Sequence, residues 1–221
     1  MGTDIHGIFQ KRTDCGWEDV ATEYDEDRHY RLFSALAGIR NGVGFAGITY
    51  GEPIKPISEP RGLPNDFIMC CNTKDDDDDD LSYHLVTNID VFAPFRREYK
   101  IEEGSPYYMW MGDHSFSWLS DKEMLEWYEN APVVISTGIV SRAIYEQWDG
   151  ISRPSEYCGD VCGPNIKIVY PYNATADDLE WTHVRCCWES VLKDDLAYFF
   201  NEVKRLKELH GEIRYVFGFD S

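Results

Sequence analysis

The sequence predicts an α+β fold, a single domain over residues 1–221, whose antiparallel or mixed sheet contains the N- and C-terminal strands and carries helices packed on it. Three observations lead there. Residues 4–12 alternate with the period of a strand, Ile5 and Phe9 on one face, Asp4, His6, Ile8 and Gln10 on the other. The closing stretch Ile213 to Phe219 is built of β-branched and aromatic side chains. Before it, Leu192, Leu196, Phe199, Val203, Leu206 and His210 recur at three-four spacing, the stripe of an amphipathic helix. There is no internal repeat and no evident linker.

Element by element, the first strand is followed by a turn at Gly16-Trp17 and a short strand near Glu18 to Thr22. Asp27 is placed to cap a helix from Arg28 to Arg40, with Leu32, Phe33, Leu36, Ala37 and Ile39 as its core stripe. Residues 41–66 are a Gly- and Pro-rich connection, long enough to suggest a functional loop. The Asp75–Asp80 run reads as a solvated loop tip, and Tyr83 to Phe92 as a short helix or strand. Ser120 and Glu123 form a capping-box pattern, which predicts a helix from Asp121 to Glu129. A further helix is expected from Gly138 to Trp148, and a short strand from Ile166 to Tyr170. The clearest helix is Leu192 to His210. Asp194 and Asp195 near its start and Lys204, Arg205 and Lys207 near its end suit the helix dipole, and Gly211 ends it.

Composition narrows the function. Of the 221 residues, 43% are hydrophobic and 14% aromatic, which excludes a disordered chain. Lys and Arg total 21 against 40 Asp and Glu, a net charge of −19. Such a chain is repelled by nucleic acid and by anionic membranes, so neither is an expected partner. The same charge admits a different class of function, an acidic interaction protein that mimics DNA and inhibits a host factor. The cysteines, Cys15, Cys70, Cys71, Cys158, Cys162, Cys186 and Cys187, are odd in number and include two vicinal pairs. With no leader-like segment at the start, they read as reduced thiols in a cytoplasm, the host's if the chain is phage-encoded.

The chemistry-bearing residues begin at the first strand. Asp4 and His6 share a face, and a carboxylate beside an imidazole acts as an oriented base or as part of a metal site. Asp113-His114-Ser115-Phe116-Ser117-Trp118 reads as a polar loop ahead of the Asp121 helix. Asp4, His6 and His114 are therefore the candidate catalytic set; a divalent metal fits those residue types, but no ligand spacing favours one. Arginines are scarce, so their placement matters. Arg28 and Arg31 are read as sharing a helix face, Arg40 follows, and Arg61 sits between Pro60 and Pro64. Arg31, Arg40 and Arg61, with Ser115, Ser117 and Trp118, are the candidate ligand-binding residues, since clustered guanidinium groups seat phosphate or carboxylate. Gly42-Val43-Gly44-Phe45-Ala46-Gly47 matches G-x-G-x-x-G but follows a helix instead of a strand, so it reads as a loop.

Several strings together carry a family likeness: Met1-Gly2-Thr3-Asp4-Ile5-His6, Arg28-His29-Tyr30-Arg31-Leu32-Phe33, Leu36-Ala37-Gly38-Ile39-Arg40, Pro60-Arg61-Gly62-Leu63-Pro64, His114-Ser115-Phe116-Ser117-Trp118-Leu119 and Arg214-Tyr215-Val216-Phe217-Gly218-Phe219-Asp220. In these the chain resembles a family of proteins of uncharacterised activity common in bacteriophage and bacterial genomes, over most of the first 125 residues and again at the end. The resemblance implies phage origin and a shared polar site, and it names no reaction. Where that family usually carries Asp or Asn, this chain has His29. The expectation is a phage-type protein that binds, and in one version hydrolyses, a small phosphorylated or nucleotide-like ligand. The alternatives are sequestration of a host signalling nucleotide without chemistry, and the acidic interaction protein.

Overall fold

The computed structural model describes residues 2–25, 28–42, 49–50, 52–67, 69–72, 83–86, 97–98, 111–175 and 180–220. Asp27, the Asp75–Asp80 run, Gly44 and Gly47 of the glycine motif, and the second half of the Tyr83-to-Phe92 segment lie outside these residues. In chain order the elements are β1 (Asp4–Thr13), β2 (Gly16–Asp19), α1 (Tyr30–Ala37), β3 (Thr49–Tyr50), β4 (Met69–Asn72), β5 (Tyr83–Val86), β6 (Arg97–Glu98), β7 (His114–Ser120) and α2 (Asp121–Glu129). Then follow β8 (Val133–Ser141), α3 (Arg142–Tyr145), β9 (Ile168–Val169), a 3-10 turn at Pro171–Asn173, β10 (His183–Val191), α4 (Leu192–Asp195), α5 (Ala197–His210) and β11 (Ile213–Asp220). The fold is α+β, and the terminal strands β1 and β11, expected in one sheet, are antiparallel neighbours in it.

The strands form a four-stranded antiparallel sheet β2-β1-β11-β7, a four-stranded mixed sheet β3-β8-β10-β9 and a three-stranded sheet β4-β5-β6. In the mixed sheet β8 runs antiparallel to β3 and β10, while β9 runs parallel to β10. Contacts divide the chain into two compact units. The first comprises Met1–Arg28, Ile57–Trp127 and Tyr198–Ser221, and the second His29–Pro56 and Tyr128–Ala197.

In the first unit, the β1–β11 register pairs Ile5 with Phe219, Gly7 with Phe217 and Phe9 with Tyr215 on one face. That face is dry: Phe9, Tyr215, Phe217 and Phe219 are essentially fully buried. Phe199 of α5 packs on it, 5.8 Å from the Phe9 ring and 5.3 Å from Tyr215. Each such buried ring contributes about 1.5–3 kcal/mol. The other face pairs Asp4 with Asp220, His6 with Gly218, Ile8 with Val216 and Gln10 with Arg214. Its apolar middle is covered by Leu63, Phe67, Met111 and Phe116, which leaves the Asp4–His6–Asp220 end as the polar rim.

In the second unit, β10 alternates strictly: Val184, Cys186, Trp188 and Ser190 are buried, and Cys187, Glu189 and Val191 exposed. Val140, Trp181, Val184, Cys186 and Trp188 form one apolar cluster. Burial, and secondarily the neighbouring Cys187 thiol, raise the Cys186 thiol to about 11, so it stays protonated there. Cys15, Cys158, Cys162, Cys186 and Cys187 are all free thiols. No helix among the described residues is long and apolar enough to cross a membrane.

Four local expectations are corrected. Residues 138–141 continue β8 instead of opening a helix, and only one helical turn, α3, follows with Ser141 as its cap. The run Val133-Val134-Ile135 with Thr137, Ile139 and Val140 is β-branched, which favours the pleated state and edges out the helical spacing. Residues 114–120 are strand β7, not loop; His114, Phe116 and Trp118 alternate with Ser115, Ser117 and Leu119. The long C-terminal helix is interrupted at Leu196, whose φ of −103 and ψ of 4 leave helical geometry between α4 and α5. Arg28 precedes α1 instead of sharing a face with Arg31, and the helix is capped by His29, whose Nδ1 accepts the Leu32 N–H at 3.2 Å. Local chemistry held elsewhere: α2 spans Asp121–Glu129, Ser120 N–H and hydroxyl both donate to Glu123 Oε2, and Gly211 follows the last turn of α5.

Candidate functional site

The register of β1 on β11 builds the site. Asp4 and Asp220 are directly opposite, and the Asp4 N–H donates to Asp220 Oδ1 at 3.2 Å. His6, two residues along the same face, places Nε2 3.3 Å from Asp220 Oδ2. Arg28 arrives from the segment before α1 and donates in a fork to Asp4, Nε to Oδ1 at 2.7 Å and Nη2 to Oδ2 at 2.6 Å. Those hydrogen bonds hold the Asp4 carboxyl below its ordinary value, with further help from the charge of Arg28 and from His6. The group is accessible: Asp4 and Arg28 keep 44% and 43% of their side-chain surface in solvent, His6 and Asp220 33% and 26%. Of the four, the sequence singled out Asp4 and His6. In the sequence, Asp220 stands only in the closing string of the family likeness, one residue beyond the expected strand, and Arg28 on an expected helix face.

His114 belongs to a different environment. It pairs with Phe219 across β7 and β11, and its ring stacks on Phe219 at 6.2 Å and 21°. Phe219 lies on the face of Ile5, opposite to that of Asp4 and His6. His114 Nδ1 is 2.9 Å from the Ser115 hydroxyl. Ser115 has a φ of 55, a left-handed conformation uncommon for a non-glycine residue. The strain sits where residues 111–113 fold over the end of β11. Asp113 N–H donates to Phe219 C=O at 2.6 Å. A Cβ on Gly112 would strike that carbonyl, one on Gly218 would strike the Met111 carbonyl, and Gly112 itself has a φ of 96. Only glycine allows so close an approach of two backbones.

Arg61 is a clasp. Its guanidinium bonds both oxygens of Glu123 at 2.8 Å, donates to the Trp118 carbonyl and lies 4.0 Å over the Trp118 ring. Chiefly through those bonds, and through the Ser120 N–H and hydroxyl, the Glu123 carboxyl is lowered to about 2 despite partial burial. Ser117, fully buried, faces the Arg61 N–H at 3.4 Å. Arg61, Ser117 and Trp118 thus fasten the proline-flanked loop to β7 and the start of α2.

Arg31 and Arg40 belong to the second unit. Arg31 forms an ion pair with Asp195, donates to the Ser136 hydroxyl at 2.7 Å and to that of Ser190 at 3.3 Å. Arg40, at a φ of 53, lies 5.7 Å over the Tyr30 ring. Among the described residues no group of three or more His, Cys, Asp or Glu is placed to hold a metal ion, and Asp4, His6 and His114 form no such group. The chain matches no family model, no curated protein and no solved structure.

Proposed function

We propose that the rim of β1 and β11 is an acid–base site of a phage-type protein acting in its host's cytoplasm on a small phosphorylated or nucleotide-like ligand. The observation that carries this reading is the accessible convergence of Arg28–Asp4 with His6–Asp220, drawn from residues 4–6, 28 and 220. With Nε2 facing the Asp220 carboxylate, the His6 imidazole is held in one orientation, as an acid–base group requires. The fork that Arg28 offers Asp4 has the geometry that binds a phosphate, and a ligand phosphate would compete with Asp4 for it. Long-range attraction is absent in a chain of charge −19, so the affinity must come from such short contacts.

The test uses nucleoside mono-, di- and triphosphates with the full chain, scoring binding by calorimetry and turnover by phosphate release. Arg28→Gln should weaken binding and His6→Asn should abolish turnover with binding retained. Ligand recovered unchanged from a tight complex would move the reading to sequestration. Binding and turnover unaltered in both variants would end it. A second reading, the acidic interaction protein, is supported by one observation: Arg28, Arg31, Arg61, Arg142, Arg153, Arg205 and Arg214 all pair with the chain's own carboxylates. Capture of a DNA-binding enzyme by protein that ignores every nucleotide would favour it.

A further inference from the structure

On the inner face of the second unit's sheet, from residues that the rim site does not use, we infer a second site that binds an oxyanion, with phosphate as its simplest form. Trp188 is directly opposite Ser136 in the β10–β8 register, and Ser190 is two residues along the same buried face. The Ser136 and Ser190 hydroxyls are 2.8 Å apart, and Arg31 donates to both. Asp195, at the end of α4, takes Arg31 on one oxygen and Arg153 on the other, the latter at 3.1 Å. Arg153 also bonds the Tyr157 hydroxyl, and the Tyr157 ring lies 4.9 Å from Trp188, which closes the circle of side chains.

Two buried polar atoms of this circle carry no hydrogen bond among the described residues: the Trp188 indole N–H, and Asp195 Oδ2, which has its ion pair with Arg31. One carboxylate, Asp195, serves two guanidinium groups. The two serines can satisfy one O–H between them, which leaves the other O–H to be given. Trp188, 2% exposed, has an indole N–H with no hydrogen-bond partner among the described residues. A buried donor without an acceptor is costly, and native proteins satisfy it with protein, water or ligand. What this circle lacks is a compact group that only accepts, and an oxyanion is that group. The site is polar on one side only. Beyond Trp188 the same face turns to Cys186, Val184 and Val140, so any organic part of the ligand would meet an apolar, aromatic wall.

The experiment follows the Trp188 indole N–H by NMR while inorganic phosphate is added to the full chain, with chloride of matched ionic strength as the control. The resonance is assigned by its loss in Trp188→Phe. Phosphate should shift it saturably and chloride should not. Measured by calorimetry, Trp188→Phe and Arg153→Gln should each weaken phosphate binding about tenfold, the worth of one hydrogen bond to a charged group. Arg153 is half exposed, so its variant keeps the fold even if removal of Arg31 would not. A resonance that ignores phosphate, that answers chloride equally, or that accompanies undiminished binding in Trp188→Phe would overturn the assignment and leave a structural water as the indole's partner. His6→Asn should leave the response unchanged, so failure here and failure of the rim site are separate outcomes.

Discussion

In the first unit most charge stands at the margin of the sheet. Asp4, Arg28 and His6 keep a third or more of their side-chain surface in solvent, and Arg61 keeps 30% while it lies over Trp118. The second unit holds one pair with both members drawn inside: Arg31 retains 12% and Asp195 14%, set against the buried hydroxyls of Ser136 and Ser190. The first unit also buries Arg214, Asp121 and Glu202, but gives each a partner that stays more than a third exposed, Asp66, Lys207 and Arg205, and Arg214 lies over the Trp17 ring. The physical consequences differ. A wet ion pair contributes roughly 0–1 kcal/mol because water screens it and ordering two long side chains costs entropy. A dry pair is strongly coupled, because removing one member strands the other's charge in a poor solvent. The first unit can therefore exchange partners at its rim, whereas the Arg31–Asp195 pair of the second is held in place.

Breaking the dry pair should give the largest effect. Arg31→Ala leaves Asp195 with only the half-exposed Arg153, and about 3–5 kcal/mol of stability should be lost in urea unfolding. The double variant Arg31→Met with Asp195→Leu should recover most of it, since an apolar pair needs no counter-charge. If Arg31→Ala costs less than about 1 kcal/mol, the pair is wetter than its geometry and the contrast between the units collapses.

Acid should act first on the other unit. Glu202, 6% exposed, accepts from Arg205 at 2.7 Å, from the Thr22 hydroxyl and from the Glu23 N–H, and these bonds lower its carboxyl to about 2. Its folded value lies below the unfolded one, so the stabilisation is complete above about pH 4.5 and is lost as the pH falls toward 2. Glu202→Gln should cost about 2 kcal/mol at pH 6 and flatten the acid limb of the stability curve. A variant with an unchanged acid limb would show that Glu202 does not govern it.

How far the sequence reached depends on the range of the interaction. The α2 capping box was legible because Ser120 and Glu123 are three residues apart and the physics is local. Strand β1 was legible because alternation is local too, and β11 because its run of β-branched and aromatic residues is. Strand β7 also alternates, and its polar Asp113-His114-Ser115 opening disguised it as a loop. Strand β8 was hidden by the rough helical spacing of its apolar residues. The site was half legible. Asp4 and His6 follow from one strand, but their partner Asp220 is more than two hundred residues away and depends on the register of a sheet. Likewise, the clasp of Arg61 on Glu123 appears only once the proline-flanked loop lies along β7.

That clasp gives the next smaller effect. Glu123, lowered to about 2, is 37% exposed, so screening reduces what its pairing contributes. Glu123→Gln keeps the shape, loses the charge and weakens the capping box. We expect a loss of about 1 kcal/mol at neutral pH, shrinking as the pH falls from 4.5 toward 2 because protonation removes the same interaction from the parent. Equal losses at pH 6 and pH 2.5 would mean that the cap geometry, not the charge, is what Glu123 provides.

The smallest change in stability should come from the residue most tied to the rim site. Asp4 is paired with Arg28 in a fork, yet both are more than two-fifths exposed. Asp4→Asn removes the charge and leaves the β1–β11 ladder intact, because the bond to Asp220 is made by the Asp4 backbone N–H. The unfolding free energy should move by roughly 0.5 kcal/mol or less. Ligand binding should move the other way. With Asp4 neutral, the Asp4 carboxylate no longer competes for Arg28, and a nucleoside phosphate should bind several-fold more tightly than to the parent. Arg28→Gln should lose that gain, and the pair of variants together should bind no better than Arg28→Gln alone. A stability loss of several kcal/mol with no change in nucleotide affinity would make the Asp4–Arg28 pair a fastening of the N-terminal strand. Its place at the rim would then resemble that of Arg61 on Glu123, and the division between an exchangeable rim and a fixed interior would no longer separate the two units.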